Sequence, residues 1–409
     1  MKFISMFAVA AALAASPASA QKAAPAAAAP AVAQIKISKA ADKSIRALNA
    51  VVAAKDAAGY PAALAAAQAA AQTDEDRYAI VRAQLNHNLN VSDVPGQIAA
   101  VEAMLASPVT RPEDKPRLYR GIAGLYKSAN NPDQQVATLE KLRVLDPNDT
   151  DVIWELAEAR EKQKKSAEAV TLAELAIKTA KDAGQPVDVT WYRRALSLAY
   201  AGKLQPQSVK LARELFGVST VAKDRSNALL ILRQYGNMDV QGKLDLFRLM
   251  RSAKALNDPI NVLSFADALS LMHYPAEAQS VLNEAIAAGV VKSGDPQAGE
   301  ILRSSGAKIA EDKAVLPGLV GKAQTAADGR LAYQVANGYF GHADYAKASE
   351  LYQLAIQKGG ADKENSKLRL GIALAMAGKN AEAEAAFKSV SGNRADLAGY
   401  WLLWLANRG

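Results

Sequence analysis

No cysteine occurs anywhere in the 409 residues. Its absence excludes disulfides, thiol catalysis and a lipid-modified cysteine. Histidine is almost as scarce, with only His87, His273 and His342. These lie far apart and match no H-E-x-x-H or other paired-ligand spacing, so no metal site and no cofactor are expected. Aromatics make up 6% of the chain against 50% apolar residues, so alanine carries much of the apolar content. Small side chains let helices approach closely. Alternating runs of Val, Ile, Thr and aromatics with Asn-Gly turns are missing, which argues against a β-sandwich. No G-x-S-x-G, Walker loop or G-x-G-x-x-G appears. Ser305 to Lys308 fits S-x-x-K, but without the S-D-N and K-T-G companions that the chemistry requires. The chain is therefore not expected to be an enzyme and has no candidate catalytic residue.

What is present begins with a secretory signal. Lys2 supplies a minimal positive start, "FISMFAVAAALAA" is an apolar stretch too short to span a bilayer, and Ala18-Ser19-Ala20 is an A-x-A cleavage site. Cleavage after Ala20 places the mature chain in the periplasm, with full secretion as the alternative. Past that signal, no stretch approaches the length of apolar sequence that a membrane helix needs. Residues 21–37 form an Ala/Pro-rich linker. The formal charge of +8 falls to +7 without Lys2. Export argues against nucleic acid as the partner of this basic balance; anionic lipid, glycan or an acidic protein surface suits it better, and scattered solvated lysines explain it most simply.

From about Ser38 onward, helical segments alternate with breaks such as "AAGYP", "NNPD", "DPNDTD" and "MHYPAE". The pairs repeat with a period. Small residues stand at Ala123, Ala157, Ala266, Ala336 and Gly371, at intervals of 34, 109, 70 and 35. The third spacing is two repeats, and the second is three repeats plus a few inserted residues. Twelve residues after each anchor comes a second small residue, Ala169, Ala278, Ala348 or Ala383, with Gln135 in the first copy. A larger or apolar residue follows four positions later, as in Leu139, Tyr352 and Phe387.

At these positions the chain resembles the tetratricopeptide repeat (TPR) family, whose 34-residue unit is a helix–turn–helix. The resemblance is carried by Tyr119, Ile122-Ala123, Tyr126, Leu139 and Pro147, by Val335-Ala336, Tyr339, Ala348, Tyr352 and Ala355, and by Leu370-Gly371. It is strong over 116–183 and 329–390, fair at 259–290, and weak over 38–115, 188–255 and 291–328. It implies an all-α, right-handed superhelical solenoid of ten or eleven antiparallel helix pairs. Residues 38–115 would be degenerate repeats, and 116–409 would be TPR-like repeats closed by an apolar capping helix.

Binding on this fold normally uses the surface lined by the first helix of each pair, helix A. The positions that point there give Arg117, Arg120 and Lys127, then Trp154 and Glu158, then Tyr192, and near the end Tyr333, Asn337, Phe340 and Arg369. Charge stripes with flat aromatic anchors suit an extended protein segment. Asn337 and Arg369 are only a fragment of the Lys/Asn set with which some TPR proteins clamp a terminal carboxylate. The last helix concentrates Tyr400, Trp401 and Trp404. It is expected to dock on the final repeat, with self-association through those three residues as the alternative. The reading is an exported, non-catalytic scaffold that binds an envelope protein or peptide segment. A glycan- or peptidoglycan-binding accessory of an envelope or polysaccharide-export machine is the alternative.

Overall fold

The computed structural model describes residues 35–408. The signal segment and residues 21–34 of the linker lie outside the described residues. The described residues contain twenty α-helices, two short 3-10 turns and no strand. None of these helices is long and apolar enough to cross a membrane. The chain divides into two compact units, Met1–Asp114 and Lys115–Gly409.

The first unit holds α1 (Lys39–Ala53), α2 (Tyr60–Ala70), α3 (Asp74–Asn90) and α4 (Val94–Ala106) as two antiparallel pairs. Ile45, Leu48, Val52, Ala67, Ile80 and Ala83 form its core. Asp76 ties the unit together. Its buried carboxylate accepts the backbone N–H groups of Ser38 (2.8 Å), Gln72 (3.0 Å) and Thr73 (3.2 Å), joining the start of α1 to that of α3. Burial alone would raise the pKa of this carboxyl, but the converging N–H donors hold it well below the ordinary range.

The second unit continues the pairing with α5 (Lys115–Ser128) and α6 (Pro132–Leu145), α7 (Thr150–Lys162) and α8 (Ser166–Asp182), α9 (Val189–Ala201) and α10 (Gln205–Val218), α11 (Ala222–Tyr235) and α12 (Val240–Ser252), and α13 (Pro259–Leu271) and α14 (Pro275–Ala287). Then comes a single long helix, α15 (Pro296–Thr325), of 30 residues. At 1.5 Å per residue it runs about 45 Å. Two further pairs follow, α16 (Arg330–Gly341) with α17 (Tyr345–Lys358) and α18 (Lys363–Met376) with α19 (Asn380–Lys388), and α20 (Ala395–Ala406) closes the chain. The described residues thus hold nine pairs and two lone helices rather than ten or eleven pairs. Ser305 of the S-x-x-K match is buried in α15 while Lys308 is exposed, so the two do not form a presented nucleophile and base.

The small-residue pattern has a direct physical origin. A Cβ built on Gly371 in α18 would lie 2.6 Å from the ring of Phe387 in α19. The two helices cross at that point, and the ring occupies the space a side chain would need. Ala157, Ala169, Ala266, Ala278, Ala336, Ala348 and Ala383 are likewise fully buried.

The architecture departs from a simple solenoid after α15. The final repeats double back: α16 packs on α14, α18 on α12, and α20 on both α12 and α10. Trp401 and Tyr400 are fully buried and Trp404 nearly so. Tyr400 meets Phe216 edge-on at 5.2 Å, the Trp404 indole N–H donates to the Ser252 carbonyl (3.1 Å), and Asn407 donates to that of Gly217 (2.8 Å). Self-association through Tyr400, Trp401 and Trp404 is therefore corrected. Their apolar surface is already covered by α10, α12 and the last repeat.

These packing distances set opposite signs for two glycine substitutions. Gly371→Ala should destabilise the chain by about 1–3 kcal/mol through overpacking against Phe387, less what alanine gains as a helix former. Gly124→Ala, where a Cβ meets nothing within 4 Å, should stabilise it by up to about 1 kcal/mol. Thermal unfolding midpoints of the two variants should move in opposite directions.

Candidate binding face

The sequence-selected residues fall into two groups with different fates. Asn337, Phe340 and Arg369 are buried, and Tyr333 lies largely beneath the surface with them. Their neighbour is α12 of the same chain. Arg369 of α18 donates to Asp245 of α12 (3.3 Å), to the Asn337 side-chain oxygen of α16 (2.6 Å) and to Gln241 of α12. Arg248 of α12 donates to Asp245 (2.6 Å) and forms a paired contact with Glu277 of α14 (2.8 and 2.6 Å). The Tyr352 hydroxyl donates to Asn337 at 2.6 Å. Arg248 lies 4.7 Å from the Phe340 ring centre and Arg369 5.4 Å from that of Tyr333. Burial would lower the pKa of both guanidiniums, but Asp245 and Glu277 more than offset it and hold them charged. Burial pushes the Tyr333 hydroxyl up to about 12. The expectation that these four residues line an open groove is thus corrected: α12 covers most of the A-helix face of the final repeats, leaving beside Phe340 a hollow of about 280 Å³. Asn337 and Arg369 bond each other, so the fragment of a carboxylate clamp is internally satisfied.

The other group lies on α5, α7 and α9, the A helices of the first three pairs of the second unit. Arg117 and Arg120 are exposed on α5, and Arg120 pairs with Asp149. Lys127 of α5 donates to Glu158 of α7 (2.9 Å), which also receives Arg194 of α9. Burial would raise the Glu158 pKa, but these two cations lower it. Trp154 stacks on Trp191 at 5.1 Å and carries the Arg194 guanidinium 5.3 Å from its ring centre. Trp154 itself is buried, and among the described residues its indole N–H has no hydrogen-bond partner. Tyr192 is fully buried beneath Lys181, so it is corrected from a surface anchor to a core residue. Lys127 of α5 and Trp154 and Glu158 of α7 are linked through Arg194 and the Lys127 contact, with Arg120 on the same helix as Lys127.

The A-helix face of α7 to α11 holds two adjoining hollows that share Ser197. The larger, about 970 Å³, lies between α9 and α11. Leu196, Leu230 and Ile231 are among its apolar lining residues, Arg193, Lys223 and Arg233 supply cations, and the Tyr200 hydroxyl donates to Gln234 across it (3.3 Å). The smaller, about 280 Å³, lies between α7 and α9 and is lined by Trp154, Glu158, Glu161, Lys162 and Arg194. Arg193 grips Asp224 through two contacts of 2.8 and 2.9 Å, and Asp224 also accepts from the Ser219 hydroxyl at 2.5 Å. Burial would raise the Asp224 pKa, but Arg193 and Ser219 lower it, so it stays ionised and saturated. No metal-ligand cluster occurs among the described residues.

The residues of the larger hollow come from the stretch where the repeat signature was weak. The backbone shows why it was missed. Asn130, Lys164, Lys203, His273, Ala343 and Gly378 all have φ between 51° and 78°. Each occupies the turn between helices A and B, seven residues after the first small position and five before the second. Lys203 thereby identifies α9 and α10 as a repeat with Leu196 in place of the first small residue and fully buried Ser208 in place of the second. The inserted residues fall between Lys164 and Lys203, in the lengthened α8 and the loop behind it. The recurrence of this turn between paired helices decides the architecture. The fold is that of a tetratricopeptide-repeat protein. No protein-family model matches the chain, and no curated protein does. Similar solved structures include PilF of Pseudomonas aeruginosa (13% identity, 68% of this chain and 90% of that one, TM-score 0.23). Another is a tetratricopeptide repeat protein of Parabacteroides merdae (12% identity, 72% and 100%, TM-score 0.22). A third is Naa15/Naa10 bound to HypK (12% identity, 87% and 60%, TM-score 0.37).

The two faces of this TPR array should respond differently to loss of an arginine. Arg369→Ala leaves Asp245 buried without one of its two cations and should cost about 3–5 kcal/mol. Arg120→Ala removes a half-exposed pair and should cost under about 1 kcal/mol. Urea titrations of the two variants would separate them.

Proposed function

We propose that the protein is an exported, non-catalytic scaffold of the cell envelope that binds another protein through the A-helix face of α5 to α13. The observation that carries this reading is the division of the array. The final repeats spend their A-helix face on α12, while the earlier ones keep theirs open, with an apolar-floored hollow of about 970 Å³ between α9 and α11. A hollow with an apolar floor and charged walls suits a side chain of an extended segment lying across the A helices. A peptide reading fits better than a glycan one, because a sugar platform needs a bare aromatic face and Trp154 is buried, stacked on Trp191 and close to Arg194. The A-x-A site at Ala18 to Ala20 supports export to the periplasm.

A photo-crosslinking residue placed at Leu230 tests this reading in the native envelope. It should trap one defined polypeptide, whereas the same residue at Lys347, on the outer surface of α17, should not. Equal yields at both positions, or a trapped muropeptide in place of protein, would count against it.

A further inference from the structure

The charge state of the open face narrows the partner further, given the groove reading above. The two hollows are lined by five cations, Lys162, Arg193, Arg194, Lys223 and Arg233, against three carboxylates, Glu158, Glu161 and Asp224. The bookkeeping within that set is uneven. Glu158 is held by Lys127 and Arg194, and Asp224 by Arg193 and Ser219. Glu161 accepts only from the Ser166 hydroxyl (3.3 Å). Among the donors, Arg233 meets one neutral acceptor, the Asn261 side-chain oxygen (2.6 Å). Lys223 is exposed on the rim beside Asp224, which is already saturated. Among the described residues the buried Trp154 N–H has no acceptor. Against the one carboxylate without a cation, Glu161, the face leaves over Lys162, Lys223 and Arg233, a net positive charge beside the apolar side chains of Leu196, Leu230 and Ile231. A ligand complementary to it supplies acceptors and negative charge around an apolar centre.

We infer that the partner presents an extended acidic segment, with carboxylates meeting Lys223 and Arg233 and an aliphatic side chain between them on Leu230 and Ile231. Neighbouring helices pack about 8–10 Å apart, so α7 to α11 span roughly 20 Å. At about 3.3 Å per residue this takes about six extended residues. Backbone carbonyls of the segment are the acceptors within reach of the smaller hollow, where the Trp154 N–H lacks one. The site differs from the Asn337 and Arg369 pair, which is spent internally.

The probes are three fluorescent peptides of about eight residues with the same leucines, alternating with Glu, Gln or Lys. Anisotropy titrations against the purified chain should show the Glu peptide binding roughly tenfold tighter than the other two, with the preference shrinking as salt rises. Lys223→Glu and Arg233→Gln should each weaken the Glu peptide several-fold, and Lys347→Glu, outside the hollows, should leave it unchanged. Circular dichroism of each variant separates lost binding from lost folding. Equal binding of the three peptides, preference for the Lys peptide, no binding of any, or indifference to Lys223→Glu would overturn the acidic assignment. Crosslinking from Leu230 distinguishes the two levels. If it still traps a defined protein while the Glu preference fails, the groove reading stands and the acidic partner falls; if both fail, the groove reading falls as well.

Discussion

The structure of the second unit depends on one buried cluster, Asp245 and Arg248 of α12 with Glu277 of α14 and Arg369 of α18. All four side chains are almost wholly removed from water. Taking charges out of water costs several kcal/mol per ion, and only close, saturated pairing offsets it. Here the two guanidiniums and two carboxylates balance, and the spare donors of Arg369 reach Gln241 and Asn337. Removing any member strands an opposite charge in the interior. The cluster therefore specifies one arrangement of α12, α14, α16 and α18, where an all-apolar interface would tolerate sliding.

That arrangement gives α12 two roles. It is the second helix of its own pair with α11, and it is also the body lying on the A-helix face of the final repeats. Seven of its thirteen residues, Leu244 to Met250, are buried without a break. A helix on the outside of a solenoid has one wet face; this one has none between Leu244 and Met250. The same docking explains the C-terminal helix. Arg394 clasps Asp239 at the start of α12 with two contacts of 2.8 Å, and Trp404 reaches Ser252 at its end. The apolar run at the chain's end thus seals the array against its own middle.

Local features of this design were legible in the sequence, and long-range ones were not. Gly371 and Phe387 lie sixteen residues apart in one repeat, and the helical period alone brings them together. Asp245 and Arg369 are 124 residues apart, and nothing local to either names the other. Asn337 and Arg369 read as surface residues because polar side chains on helix A are usually exposed. A polar group buried against a distant partner has the same local pattern. The stretch 188–255 looked irregular because Leu196 replaces the small residue and because α11 and α12 are joined without the left-handed turn. That substitution also places an apolar side chain in the larger hollow, so the irregularity and the candidate site share one cause.

The closed half and the open half meet in the α11 and α12 pair. α12 is fixed by the buried charges, and α11 is fixed to its neighbours by Arg193 to Asp224 on one side and Arg233 to Asn261 on the other. α11 carries Lys223, Leu230 and Arg233, so the groups of the proposed site stand on a helix tied to both of its neighbours. A segment binding there orders itself without also having to order the receptor, which lowers the entropic cost of association. On the proposed reading, the contacts that tie α11 to its neighbours let the open face select a partner by the spacing of its charges.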